Sequence, residues 1–582
     1  MMQDLSNMKH MLSSFKDMLK KENKFKTEMA AAGDSEDAQK EKMMEIFIKS
    51  MEGEHMSIID SLLKTKLRDK RLPLDVNQCV IEASIRGNLV VLTKLLNLHP
   101  RLSHGDDENR RAIHYAAMNG HLGCVKLLLK SGASSNCSDD DGRTPLHYAC
   151  SNGHLDIVKT LVTQGSSVNS CRTEIGECAL HVTAATDHVN IMEVLLDNGG
   201  DVNNMTRKLK GGSTPLHIAI TSDKPDMVDY LCRHGALLNM EDGFGKFPIH
   251  IACEKGVVRC IPVLIQHGAD LEMLDSYNQT PLCSAALENQ PAVAKLLIEH
   301  GANVHSVDNN GFTPLHKASI KGNVELIDHL MSAGADLNKR STKSLQTPLM
   351  TAVYFGKLEA IKRLVHYGAD TTVTDINGQT PLHLVHSKIG GDPIDKILLA
   401  LLEGGGRLDI RDQNHFTPLQ KGIYTGVVRS NLSLPSIQLL VQAGSLLAPD
   451  KYTSGKNSPL FWLAYSGCLK EAAYLVRAGW DLNNETWIML PGKDSMQDKL
   501  HDFMIVNFRT VPSLLHRTRQ VIRSHLSSIR KFREILSSID SLPIPSALKS
   551  YLKLEDVDPN NMDFLDWEDA GPYDEDEDES DS

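Results

Sequence analysis

The sequence predicts a mainly α fold built by repetition rather than a single globular core. Three observations carry this. A Thr-Pro-Leu-His tetrapeptide returns at a nearly constant interval, and small and apolar residues recur at fixed places between its copies. A chain of 582 residues with 5% aromatic content is also too long for one ordinary core.

Residues 1–72 are Met-rich and charged. Leu5, Met8, Leu12, Phe15 and Leu19 step by three or four, which lines them along one helical face. Ile58, Ile59, Leu62 and Leu63 form a second apolar set close to the first repeat. The expected role is a helical cap over the open end of the array, because a terminal repeat needs shielding. Coiled-coil pairing would require more heptads than the segment holds. Residues 32–42, AGDSEDAQKEK, read as a flexible joint between the two sets. Lys and Asp interrupt the apolar residues at the start, so a signal-peptide core is not expected.

The repeats occupy about 73–490. Thr144-Pro-Leu-His147 returns at Thr214, Thr313 and Thr380, with degenerate copies starting at Arg111, Cys178, Phe247, Thr280, Thr347, Thr417 and Ser458. Successive spacings are 33, 34, 36, 33, 33, 33, 34, 33, 37 and 41. A further weak unit fits upstream at Ala83 and Gly87. One unit explains the pattern. Asp141-Gly142 supplies a tight turn; Thr144 caps a helix that begins at Pro145, where a missing N–H costs nothing. Ala149 lets neighbouring helices approach, and Gly153 breaks the first helix. Ile157, Val158, Leu161 and Val162 make the apolar face of a second helix, which Gly165 ends in the left-handed conformation. A unit this small cannot bury its own core and must stack on its neighbours.

These residues resemble the ankyrin repeat. The resemblance implies a curved stack of 11–12 helix pairs with hairpin-like turns along one edge, a surface that generally binds proteins. The spacing of 36 points to additional residues around Arg207–Gly211, and 37 and 41 to inserts around 427–435 and 449–457. Such inserts are either partner-contacting loops or length drift in decaying terminal repeats.

Chemistry finds little to work with. Seven histidines (114, 147, 181, 217, 250, 316, 383) share one slot of the repeat, which predicts a buried hydrogen bond that steadies the turn. No His-Glu-x-x-His, Gly-x-Ser-x-Gly or phosphate-loop pattern occurs, and Gly404-Gly-Gly406 reads as a helix stop. The eleven cysteines are never closer than seven positions, so neither a zinc site nor a disulfide framework is expected, and free thiols fit a reducing compartment. No cofactor, metal or catalytic residue is expected. Net charge is −12, but residues 556–582 carry thirteen acids and no base. The rest is nearly neutral, which argues against nucleic acid. No apolar run approaches a membrane span, and the expected location is cytoplasmic or nuclear.

After a linker at 491–510, residues 511–556 change character. Leu514, Thr518 and Ile522 are four apart and share a helical face that Leu515 and Leu526 widen, with Pro512-Ser513 as entry. Leu542-Pro-Ile-Pro545 cannot continue a helix, and Leu548, Tyr551 and Leu552 restore helical spacing. Helix, rigid link and helix in so few residues are too little for an independent core, so a partner must complete them.

This stretch resembles a SOCS box, and its place behind ankyrin repeats is similar to the ankyrin-repeat-and-SOCS-box (ASB) family. The resemblance implies a fold that is mainly α: an ankyrin-repeat solenoid plus a small C-terminal helical SOCS box. It implies elongin C contacts at Leu514, Leu515, Thr518 and Ile522, and cullin-5 contacts at Leu542, Pro543, Ile544 and Pro545. A prefixed extended segment loses less entropy on binding. The family usually has Cys where this chain has Thr518; in a dry pocket the added hydroxyl costs about 1–3 kcal/mol, reduced if it bonds an upstream carbonyl. Implied partners are elongins B and C, cullin-5 with its RING subunit, and an unidentified protein target on the ankyrin surface. Target ubiquitination follows; a scaffold without ligase recruitment is the alternative. The acidic tail, 557–582, is compositionally disordered. It reads as solvated, with screening of the basic box helix as the other option.

Overall fold

The computed structural model describes residues 36–53, 55–68, 74–447 and 457–480. Contacts divide the chain into two compact units, Met1–Asp270 and Leu271–Ser582. Among the described residues both units are helical, without a β-strand.

In the first unit two helices, Glu36–Glu52 and Met56–Arg68, precede six helix pairs. The pairs are Val76–Ile85 with Leu89–Leu96, Ala112–Met118 with Leu122–Lys130, Pro145–Ser151 with Leu155–Thr163, Ala179–Ala184 with Val189–Asp197, Pro215–Thr221 with Pro225–Arg233, and Pro248–Lys255 with Cys260–Gln266. The second unit holds six more described pairs, opening at Pro281, Pro314, Pro348, Pro381, Pro418 and Pro459. The weak upstream repeat at Ala83 and Gly87 is therefore a full pair.

Local chemistry accounts for each start and stop. Thr144 adopts extended backbone (φ −100°, ψ 166°) as the N-cap, and Pro145 is the first helical residue. Gly153 (φ 78°) separates the helices, and Gly165 (φ 81°) follows the end of the second. Ile157, Val158 and Leu161 are at most 1% exposed, whereas Val162 is only half-buried. The same i, i+1, i+4 trio recurs as Val91-Leu92-Leu95, Ile191-Met192-Leu195 and Met227-Val228-Leu231, all fully buried. Each such side chain contributes about 1.5–3 kcal/mol on leaving water, but only because the adjacent pair covers it.

The repeated histidines are the joints between pairs. Nδ1 of His147 accepts the Thr144 backbone N–H at 3.1 Å, and Nε2 donates to the Glu177 carbonyl of the next repeat at 3.2 Å. His114, His181, His316 and His383 bridge in the same way to Cys137, Ser213, Gln346 and Phe416 at 2.9–3.2 Å. All seven are buried; the bridge forms at these five, while His217 Nε2 is buried without a hydrogen-bond partner among the described residues. A second series was not anticipated: His121 and His154 each donate Nε2 to a carbonyl of the preceding repeat, Ile85 and Met118, at 3.0 Å. Their rings lie against Gly87 and Gly120, where a Cβ would sit 2.4 and 2.7 Å from ring atoms. The Gly-His dipeptides at 120–121 and 153–154 are the sequence signal for it.

Three expectations need correction. Residues 36–42 are not a flexible joint; they begin the helix Glu36–Glu52, whose Met43, Phe47 and Met51 are buried. That helix and Met56–Arg68 pack on the first two repeat helices, through Ile59, Leu62 and Leu63 among others, as a cap would. Second, the spacing of 37 arises at 388–393, between a shortened helix Pro381–Leu384 and Ile394–Glu403, and not at 427–435. Third, the spacing of 41 is taken up mainly by the long helix Pro418–Val428 and the turn to Leu434, so the insert at 427–435 belongs to this spacing; residues 449–456 lie outside the described residues. The residues around Arg207–Gly211 do form the extra segment, a single 3-10 turn. Leu5, Met8, Leu12, Phe15 and Leu19 lie outside the described residues.

Candidate protein-binding surface

The segment ahead of each first helix is a turn held by one side chain. Asp139 Oδ1 accepts the Arg143 N–H at 2.7 Å, and the Gly142 N–H returns to the Asp139 carbonyl at 3.1 Å. The tight turn expected at Asp141-Gly142 thus forms, but Asp139 organises it while Asp141 is exposed. Asp106, Asp242, Asp275, Asp308, Asp375 and Asp412 repeat the arrangement, each accepting backbone N–H groups two and four residues on. Thr173 takes the same role toward Glu177. The signal was available: an Asp or Thr five residues before the tetrapeptide.

The turns are also linked to one another. In the first unit the N–H groups of Asp140, Arg207 and Gly243 donate to the carbonyls of Glu108, Ile175 and Gly211 at 3.1, 2.8 and 2.7 Å. In the second unit Thr342, Ile376 and Gln413 donate to Asn310, Ser344 and Asn377 at 3.0 Å each. With these backbone groups paired, the tips of each unit form a rigid ledge that exposes part of its side-chain surface. Several exposed side chains are large and apolar. In the first unit Leu209 is 100% exposed and Phe244 68%; in the second Tyr277 is 61% exposed. Such a ledge supplies recognition: anchors held in place lose little entropy on binding.

The polar interior is inert by comparison. Burial holds His147, His217 and His316 near a pKa of about 4, so their rings are neutral at pH 7. Burial pushes the Cys124 and Cys232 thiols up to about 11 and those of Cys150 and Cys260 to about 12. All eleven cysteines are free. Among the described residues no group of three or more His, Cys, Asp or Glu is placed to hold a metal ion, and no helix is long and apolar enough to cross a membrane.

The residues expected to recruit other subunits, Leu514, Leu515, Thr518, Ile522 and Leu542–Pro545, lie outside the described residues, as do the linker and the acidic tail.

Comparison with known proteins bears on both parts. The family "Ankyrin repeats (3 copies)" matches residues 80–172, 166–242, 236–308, 279–341, 301–375 and 349–445. The family "SOCS box" matches residues 510–553. Among curated relatives, the Neurogenic locus Notch protein of Drosophila melanogaster is 33% identical over 95 residues, 16% of this chain and 3% of that protein. Palmitoyltransferase AKR1 of Lachancea kluyveri is 28% identical over 161 residues, 28% of this chain and 21% of that enzyme. The chain thus spans only a small part of these relatives. The crystal structure of the human ASB11 ankyrin repeat domain is 27% identical, with a TM-score of 0.35, and is covered to 98% by 38% of this chain.

Proposed function

The chain belongs to the ankyrin-repeat-and-SOCS-box family, and from that premise we propose that it is the substrate receptor of a cullin–RING ubiquitin ligase. The ledge of turn tips binds a target protein, and the SOCS box recruits elongins B and C, then cullin-5 with its RING subunit. The observation that carries this reading is the order of parts: a protein-binding array followed by a SOCS box at 510–553. An adaptor of this kind holds a target lysine near a charged conjugating enzyme and so raises its effective concentration. It supplies no catalytic residue itself; the ligase chemistry belongs to the other subunits.

In the box, Leu514 is the anchor for an elongin C pocket, with Leu515, Thr518 and Ile522 beside it, and Leu542-Pro-Ile-Pro545 is the cullin contact. Affinity purification of the full chain from cells tests this. Wild type retains elongins and cullin-5; Leu514→Asp loses both; alanines at 542–545 lose the cullin and keep the elongins. Thr518→Cys raises elongin retention. A wild-type chain that captures neither elongin nor cullin makes the protein a plain ankyrin scaffold and ends the ligase reading.

A further inference from the structure

Among the described turn tips, the one between Thr206 and Ser213 carries extra residues. Its extra residues carry the run Arg207-Lys208-Leu209-Lys210, three cations and a leucine with no acid among them. Arg207 and Lys208 are exposed, and neither has an ion-pair partner among the described residues. Leu209, directly after them, is fully exposed.

The segment is nonetheless held firmly at its base. Thr206 N–H donates to the Ser213 carbonyl at 2.9 Å, and Ser213 N–H to Thr206 Oγ1 at 2.7 Å. Gly212 N–H closes the loop onto the Arg207 carbonyl at 3.1 Å. On either side it is tied to its neighbours through the Ile175 carbonyl and the Gly243 N–H. The approach to the next turn is so close that a Cβ on Gly243 would sit 2.3 Å from the Lys208 carbonyl oxygen. A leucine held in water on a rigid base, beside two exposed cations, contributes nothing to folding. It is the arrangement of a contact residue. Ile175 and Phe244, on the adjoining turns, extend the apolar ground to both sides at 38% and 68% exposure.

Charge along the ledge defines the partner. The preceding turns present Asp107-Glu108, Asp140-Asp141 and Glu174 interleaved with Arg143 and Arg172, whereas Arg207-Lys208 has no acid beside it in the turn. A long uniform polyanion such as a nucleic acid would run onto those carboxylates, whereas a short acidic segment fits on the cations alone. We propose that Arg207, Lys208 and Leu209, with Phe244 and Ile175, form the docking site for an acidic peptide segment of a partner protein. The segment carries a large apolar side chain that packs on Leu209 and Phe244 while its carboxylates pair with the cations. This deepens the reading of the ledge as the target-binding surface and rests on it. Its test is independent of ligase recruitment, so the two can fail separately.

The experiment measures fluorescence anisotropy with the purified full-length chain and a labelled synthetic peptide of Asp and Glu around one central Phe. A peptide with Lys in place of the acids and an all-acid peptide lacking the Phe serve as comparisons. The acidic Phe peptide binds; Lys208→Glu and Leu209→Ala each weaken it by at least about tenfold, and the Lys peptide does not bind. Lys343→Glu, on a turn of the second unit, leaves affinity unchanged. Because Leu209 is wholly exposed, Leu209→Ala keeps the wild-type circular dichroism and melting curve. The proposal is overturned if Lys208→Glu and Leu209→Ala bind as wild type does, or if the all-acid peptide binds equally well. It is also overturned if single-stranded RNA or phosphatidylserine vesicles bind through Lys208 more tightly than the Phe peptide.

Discussion

Replacing Lys317 tests how the turns are held. Its ammonium lies 2.5 Å from Asp308 Oδ2, and the two side chains are 7% and 3% exposed. Asp308 Oδ1 also accepts the N–H groups of Asn310 and Phe312 at 2.8 and 2.9 Å. Burial alone would raise the Asp308 pKa, but the Lys317 hydrogen bond and these backbone bonds hold it below the ordinary carboxylate value. Lys317→Met leaves that carboxylate buried without its counter-charge. Breaking such a pair costs about 3–5 kcal/mol, and the two surviving backbone bonds put this case near about 3 kcal/mol. In other repeats the position is Tyr: Tyr148 donates its hydroxyl to Asp139 at 2.6 Å, and Tyr115 does the same to Asp106. Lys317→Tyr should therefore recover much of the loss. Hydrogen exchange read on peptides spanning 305–322 of the full chain measures this, since the array need not open as one unit. A loss of about 3 kcal/mol appears as roughly hundredfold faster exchange in Lys317→Met. Unchanged exchange in Lys317→Met, or equal damage from Met and Tyr, would refute the assignment of Asp308 as a turn organiser that needs a buried donor.

Two more expectations follow from the same geometry. His147, His217 and His316 have folded pKa values of about 4, lowered by burial from 6.5. The unfolded chain therefore takes up protons on acidification before the folded one does. Their stabilisation is complete above pH 6.5, declines between 6.5 and 4, and amounts to at most about 3 kcal/mol per ring; urea midpoints at pH 7, 6 and 5 should fall in that order, and equal midpoints at 7 and 5 would contradict it. Gly142→Ala and Gly165→Ala form a matched pair, with φ of 79° and 81°. Both incur the left-handed penalty of about 1–2 kcal/mol, but only at 142 does a Cβ meet backbone, 2.2 Å from the Arg172 carbonyl oxygen. Thermal melts should show the larger loss at 142, and equal losses would mean the turns do not bear on one another as described.

Particular residues show how far the sequence could be read. Thr144, Pro145, Gly153 and Gly165 were legible because capping and positive φ are decided within a few residues. The histidine slot was legible because seven copies in one register permit one structural explanation. Asp139 was passed over for Asp141 because Asp-Gly is the stronger local turn signal, yet the Arg143 N–H closes on the earlier carboxylate. The insert around Arg207–Gly211 was placed correctly, whereas the one for the spacing of 37 was set at 427–435, beyond the Thr380–Thr417 interval that contains it. Residues 36–42 look polar enough for a joint, but Met43, Phe47 and Met51 behind them bury against the first repeats and carry the helix back through them.

The sequence by itself determined the repeat, its helix pairs, the C-terminal box and hence the family, because these rest on period and on short-range stereochemistry. Only the tertiary structure decided which apolar residues face solvent and which polar ones are enclosed. Leu209 and Leu128 are the same side chain; one stands fully exposed on a turn tip and the other is fully buried between helices. That difference is set by what the repeats some thirty residues away on either side cover, and burial depends on those neighbours rather than on the residue itself.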